Sequence, residues 1–352
     1  MHTKGAPVKK TDTSALVSAA LAALLVASVM GEALAVTIPT VPVGNAGNAG
    51  DTQVMNDGTS GYGAVAYPYR IGTYEVTNAQ YAEFLNAKAA SDPLALYNTA
   101  MGSNAWGGIT RSGASASFTY ATKTDMGNKP VNYVSWYDSI RFANWLHNGQ
   151  GTGDTETGAY TLLGGTATPS NGLSITRNVG ASWFLTSENE WYKAAYHQPS
   201  AQGGDTDDYW LYPTASNSAP TPATADSVGN ISNPGANVAN YGLVVDWNSQ
   251  NGNVTTVGSA GALSESYYGT SDQGGNVIEW NEALITGVFL GIRGGSFSSG
   301  AIVLQTSHRS FDSPTGEFSN HGFRVATVPE PGTAVLGMIG CVLMWVLRRR
   351  FK

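Results

Sequence analysis

Charged and amide oxygens concentrate in one short stretch, Ser271 to Trp280, where Asp272, Gln273, Asn276 and Glu279 surround the pair Gly274-Gly275. The glycines let the backbone turn sharply and Trp280 supplies a large apolar anchor, so the stretch reads as a loop pinned to a core. A second stretch, Arg293 to Phe297, sets two glycines between a positive charge and an aromatic ring, as expected where one backbone runs tightly against another. Nucleophilic chemistry finds little support. The only cysteine, Cys341, falls in a C-terminal apolar run, which leaves the body of the chain with no thiolate metal site and no cysteine nucleophile. Ser307-His308 has no Gly-x-Ser-x-Gly elbow and no acid partner at a telling spacing. His147, His197, His308 and His321 show no metal-ligand spacing, and Walker, His-Glu-x-x-His and paired Cys-x-x-Cys motifs are absent.

Three strand-to-helix units precede these stretches and must hold them. Tyr67 to Val76 alternates apolar and polar residues as a strand does, and Thr77-Asn78-Ala79-Gln80 is a capping box that starts a helix to about Ala87. Pro130 to Val134 is extended, and Ser135 with Asp138 opens an amphipathic helix from Trp136 to His147. Trp183-Phe184-Leu185 repeats the pattern, with Ser187 and Glu190 as the box and a helix running to His197. Residues 91–127 are glycine- and serine-rich and carry no clear period. Residues 202–270 are long and irregular, and a loop of that length calls for bound ions or buried aromatics such as Tyr209, Trp210, Tyr212 and Tyr241 to hold it. Closing strands are expected around 287–293 and 322–327.

The 352 residues are 42% hydrophobic and 12% charged, enough for a core, and the 43 glycines point to ordered but irregular structure. Both ends read as targeting segments. Lys4, Lys9 and Lys10 precede an apolar run from Ala15 to Met30, and Ala33-Leu34-Ala35 has the form of a signal-peptidase site, so residues 1–35 are a signal peptide and the mature chain starts near Val36. Residues 36–65 form an extended lead-in. At the other end Val328-Pro329-Glu330-Pro331 leads into the short apolar run Thr333 to Leu347 and an arginine cluster. That order resembles the PEP-CTERM sorting signal of Gram-negative bacteria, which implies an exosortase as processing enzyme and delivery to the cell envelope, cell surface or extracellular matrix. A plain membrane anchor is the other reading of residues 328–352; in either case the tail alone meets the membrane. Without both segments, 11 basic residues face 22 acidic ones, about −11, which excludes nucleic acid as a partner.

Six motifs in order carry a further resemblance: Tyr74 to Tyr81, Pro130 to Trp136, Leu185 with Ser187 to Trp191, Gly275 to Trp280, Arg293 to Phe297, and Gly322 to Val325. Together they resemble the sulfatase-modifying-factor, or formylglycine-generating-enzyme, family over residues 66–327. The resemblance implies a single α+β domain with a C-type-lectin-like variant fold, low in regular secondary structure and helped by calcium. One calcium would be held at Asp272, Gly275, Val277 and Glu279, two carboxylates and backbone carbonyls, and such hard oxygen ligands suit calcium. Alternatively Asp272 caps a turn and Glu279 pairs with a buried arginine such as Arg293 or Arg324. A second site would use Asn240 and Tyr241 with Asn251 and Asn253. The family's copper-binding cysteine pair falls at about Ser299 and Leu304, neither of which supplies a thiolate, so copper is not expected.

The expected function is that of an exported, surface- or matrix-associated protein whose domain binds a polysaccharide or protein ligand or serves matrix structure without catalysis. The alternative is an oxidoreductase of the formylglycine-generating type acting on protein or peptide thiols. Arg309 and Arg324 are possible ligand contacts, or neutralise buried carboxylates.

Overall fold

The computed structural model describes residues 35–328, together with Met1 and His2. The apolar runs of both expected targeting segments lie outside the described residues. Within those residues no helix is long and apolar enough to cross a membrane.

Two four-stranded sheets and three capped helices frame the domain. The first sheet takes the order β1 (Thr40–Val43), β2 (Tyr69–Gly72), β8 (Val325–Thr327), β3 (Trp183–Leu185), with every neighbour antiparallel. The second takes the order β6 (Ser310–Asp312), β5 (Phe289–Arg293), β4 (Ile278–Ile285), β7 (His321–Gly322). Its β4–β7 pair is parallel, and β4 is irregular between Trp280 and Leu284. The chain therefore enters the first sheet early and closes it with its last strand. The lead-in is part of this frame: β1 pairs along β2, and buried Asp51 accepts from the hydroxyl of Tyr192 at 2.6 Å.

Helices α1 (Asn78–Lys88), α2 (Trp136–His147) and α3 (Glu188–Tyr196) each begin with a reciprocal capping box, Thr77 with Gln80, Ser135 with Asp138, and Ser187 with Glu190. Each box satisfies backbone N–H groups that a short helix would otherwise leave without a partner. Burial against the sheets does the rest. Tyr81 and Phe84 of α1 meet Phe142 of α2, whose ring lies 5.5 Å from that of Phe323 beside β8.

The strand expected over residues 67–76 is shorter than its alternation implied, because the backbone N–H of Val76 is claimed by the carbonyl of Phe323 and the chain leaves the sheet for α1. Residues 91–127 contain a hairpin, Ile109–Ser112 with Thr119–Thr122. Its outward residues are mostly exposed, so no apolar period marked it. Residues 202–270 are held by buried Tyr209, Tyr212, Tyr241 and Trp247 and by short strand pairs.

Candidate functional site

The two stretches singled out by their glycines lie against each other. The N–H of Gly275 donates to the carbonyl of Gly294 at 3.0 Å, and that of Phe297 to Asn276 at 2.9 Å. Gly275 and Gly294 have φ of 95° and 94°. A Cβ would strike the carbonyl oxygen of Asn240 at the first and that of Gln273 at the second. Only glycine meets both conditions.

This contact sets Glu279, the second residue of β4, beneath the loop and opposite Arg324. Both side chains are buried. The Arg324 Nε and Nη2 donate to the two oxygens of Glu279, each at 2.6 Å, and the indole N–H of Trp191 adds a third bond at 2.8 Å. The remaining Arg324 donors reach the carbonyls of Gly72, Thr73 and Ser271. One guanidinium thus ties the first sheet, the second sheet and the Asp272 loop together. A bidentate pair with every guanidinium proton used and both carboxylate oxygens engaged is the form in which a buried ion pair holds.

Beside it sits a carboxylate of the opposite kind. Glu75, between β2 and α1, is 2% exposed and neither side-chain oxygen has a hydrogen-bond partner. Burial raises its pKa well above the ordinary value, and the charge of Asp272 adds to the rise. Asp272, at φ 61°, takes the N–H of Gly258 on Oδ2 at 2.6 Å, and burial raises its pKa too. Two carboxylates within electrostatic reach therefore stand beside one arginine already neutralised by Glu279. The sequence quoted Glu75 in a motif but assigned it no role: strand alternation put it on the polar side between Tyr74 and Val76, where a solvated acid is the ordinary outcome.

Calcium asks for several oxygen ligands with free lone pairs. Glu279 has little to give, since Arg324 and Trp191 take two bonds on Oε2 and one on Oε1. Glu75 has both, and Asp272 is engaged on one side only. The orphaned oxygens of Glu75 give it the most acceptor capacity left for a hard cation among the carboxylates near Arg324. Among the described residues no group of three or more His, Cys, Asp or Glu side chains is gathered as a metal cluster. In the weaker set, Asn240 donates to the carbonyl of Asn253 at 2.8 Å and its own Oδ1 is buried without a partner. Tyr241 donates to the carbonyl of Pro220, and Asn251 is exposed in a two-residue strand. That set brings one side chain, that of Asn240, onto the backbone of another member, Asn253.

Arg309 donates to Glu188 and Asp57, and Arg293 to Glu188 and the carbonyls of Thr306 and His308. The guanidiniums of Arg309 and Arg324 are thus committed to protein partners. Ser299 lies in a serine cluster, its Oγ accepting from the Ser296 N–H at 3.0 Å and lying 3.2 Å from the Ser296 hydroxyl. Leu304 is 0% exposed, packed with Tyr212, Ala239 and Tyr241.

Residues 40–328 match the family model of the sulfatase-modifying factor enzyme 1-like domain. The chain belongs to the sulfatase-modifying factor family. Among solved structures the family fold is shared with CarF, at 22% identity and a TM-score of 0.53, over 84% of this chain and 99% of that one. The Treponema denticola variable protein 1 aligns at 17% identity and TM-score 0.49, over 85% of this chain and 98% of the other. PvdO from Pseudomonas aeruginosa aligns at 17% and 0.44, over 84% and 93%. No curated protein matches the sequence.

Proposed function

We propose that this is an exported sulfatase-modifying-factor-like protein that binds a ligand at the cell surface or in the extracellular matrix and performs no oxidation. The observation that carries the reading is the chemistry at the positions of the family's cysteine pair. Leu304 is closed inside an apolar cluster, and Ser299 spends its hydroxyl within the serine cluster. Neither offers the soft sulfur that copper(I) prefers. Export rests on the signal-peptide pattern of residues 1–35 and on the tail pattern of residues 328–352, which together make signal peptidase and an exosortase the processing partners.

Calcium is part of this proposal, as a structural ion of the Asp272 loop. Asp272, Glu75 and the carbonyls of Gly275 and Val277 would hold it, and its charge would offset the two unpaired carboxylates. The decisive experiment for the function is turnover of a cysteine peptide by the full chain reconstituted with copper. No formylglycine above the protein-free control is expected; sustained turnover would replace the binding reading with the oxidoreductase one.

A further inference from the structure

Two cavities open side by side near the start of α1. One, of about 350 Å³, is lined by Ile38, Tyr74, Gln80, Asn128 and Thr256 among others. The other, of about 240 Å³, is lined by Asp125, Asn128, Lys129, Asn230 and Thr256. Asn128 and Thr256 belong to both walls, so the two cavities adjoin and are taken together as one cleft.

Its frame is rigid. The carbonyl of Asn128 accepts from the Val257 N–H at 3.0 Å, the carbonyls on either side, Gly127 and Lys129, accept from Ala79 and Asn78, and Thr256 donates its N–H to Gly229. Asn230 is pinned by Asp226 through its backbone N–H and its amide nitrogen. The ring of Tyr74 is backed by Gly258, where a Cβ would run into it. Gly258 is in turn held by Asp272.

What this frame presents is planar: amides, one aromatic ring and one carboxylate. The Asn128 side chain is exposed and makes no hydrogen bond within the protein, and the Asp125 carboxylate is likewise exposed without one. The ammonium of Lys129 is spent on the carbonyl of Val228 and the hydroxyl of Thr256, over the face of Trp247. The oxygens of Glu75, although that residue borders the cleft, are shielded from solvent.

We infer that this cleft binds a neutral oligosaccharide. Amide groups donate and accept and carboxylates accept from adjacent hydroxyls, an aromatic ring covers the apolar face of a sugar ring, and two adjoining cavities suit successive sugar residues. An anionic glycan finds no uncommitted cation among the described residues of the cleft and meets an acidic domain. The inference rests on the reading of the domain as a ligand binder and names the class of ligand.

The test is titration calorimetry of the full chain with maltotetraose, cellotetraose and laminaritetraose, beside an alginate tetrasaccharide and a chitosan tetramer. At least one neutral tetrasaccharide is expected to bind, and Asn128→Ala to weaken it about ten-fold with an unchanged melting temperature. Tyr74→Ala is expected to weaken it further. The inference is overturned if no neutral tetrasaccharide binds, if only the charged ones do, or if binding is indifferent to both substitutions. Copper-dependent oxidation of a cysteine peptide would remove the ligand-binder reading itself, whatever the sugars do. Absent sugar binding without oxidation removes this inference alone.

Discussion

Arg324 meets Glu279 through two hydrogen bonds of 2.6 Å each, in the interior, and the same guanidinium reaches three backbone carbonyls on two other segments. The pair is the junction at which both sheets and the Asp272 loop are joined, so its loss would be felt by all three.

Glu279→Ala leaves Arg324 charged and buried with only carbonyls for company, and strips Trp191 of its acceptor. A loss of about 3–5 kcal/mol is expected, the usual cost of removing one partner of a buried pair. Urea unfolding of the variant beside the parent measures it, and a loss under about 1 kcal/mol would show that the junction is not where the stability lies.

Calcium should raise the melting temperature of the full chain, and chelation should lower it. At a free concentration about 100 times the dissociation constant the stabilisation is about 2.7 kcal/mol. Glu75→Gln should abolish the calcium-dependent part while the chelated variant melts no lower than the chelated parent, because the substitution removes a buried, unpaired carboxylate. A calcium response that survives Glu75→Gln would return the second carboxylate to Glu279.

Stability should also depend on pH through Asp138, which completes the capping box of α2 with Ser135. Burial first, and then the charge of Glu317, raise its pKa from 3.8 to about 8. A carboxyl raised in the folded state binds its proton more tightly there than in the unfolded chain, so its contribution is largest below the unfolded value and is lost as pH climbs from about 4 through 8. Asp138→Asn keeps an oxygen for the Ser135 N–H and removes the titration. Thermal melts from pH 5 to 9, an interval of about four units across this window, should fall less steeply for the variant; identical slopes would exclude Asp138 as the source.

Gly294→Ala and Gly287→Ala separate two costs. Both sites have positive φ, but a Cβ at Gly287 meets open space whereas at Gly294 it strikes the Gln273 carbonyl and the Trp191 ring. About 1 kcal/mol is expected at Gly287 from backbone conformation alone, and at least about 3 kcal/mol at Gly294, where overpacking adds to it. Chemical denaturation of the two variants resolves the difference, and equal costs would mean that the loop at Gln273 gives way.

Local chemistry determined much of this protein from the sequence alone. Three capping boxes, Thr77–Gln80, Ser135–Asp138 and Ser187–Glu190, involve residues three apart, so each helix start was written within four positions. The glycine pairs at 274–275 and 294–295 announced a close backbone approach for the same reason: no other residue tolerates it. Motif order then named the family. Tertiary structure decided the rest, because it depends on partners far along the chain. Glu279 had two candidates, Arg293 and Arg324; Arg293 is its cross-strand neighbour in β5, yet the packing of the two sheets gave it Arg324, while Arg293 went to Glu188. Whether Glu75 faced water or the interior turned on β8 and the Phe323 before it, at the far end of the domain. Its burial follows from the closing of the first sheet by β8, which places Phe323 on Val76 and leaves a carboxylate with no partner where strand alternation alone would have put it in solvent.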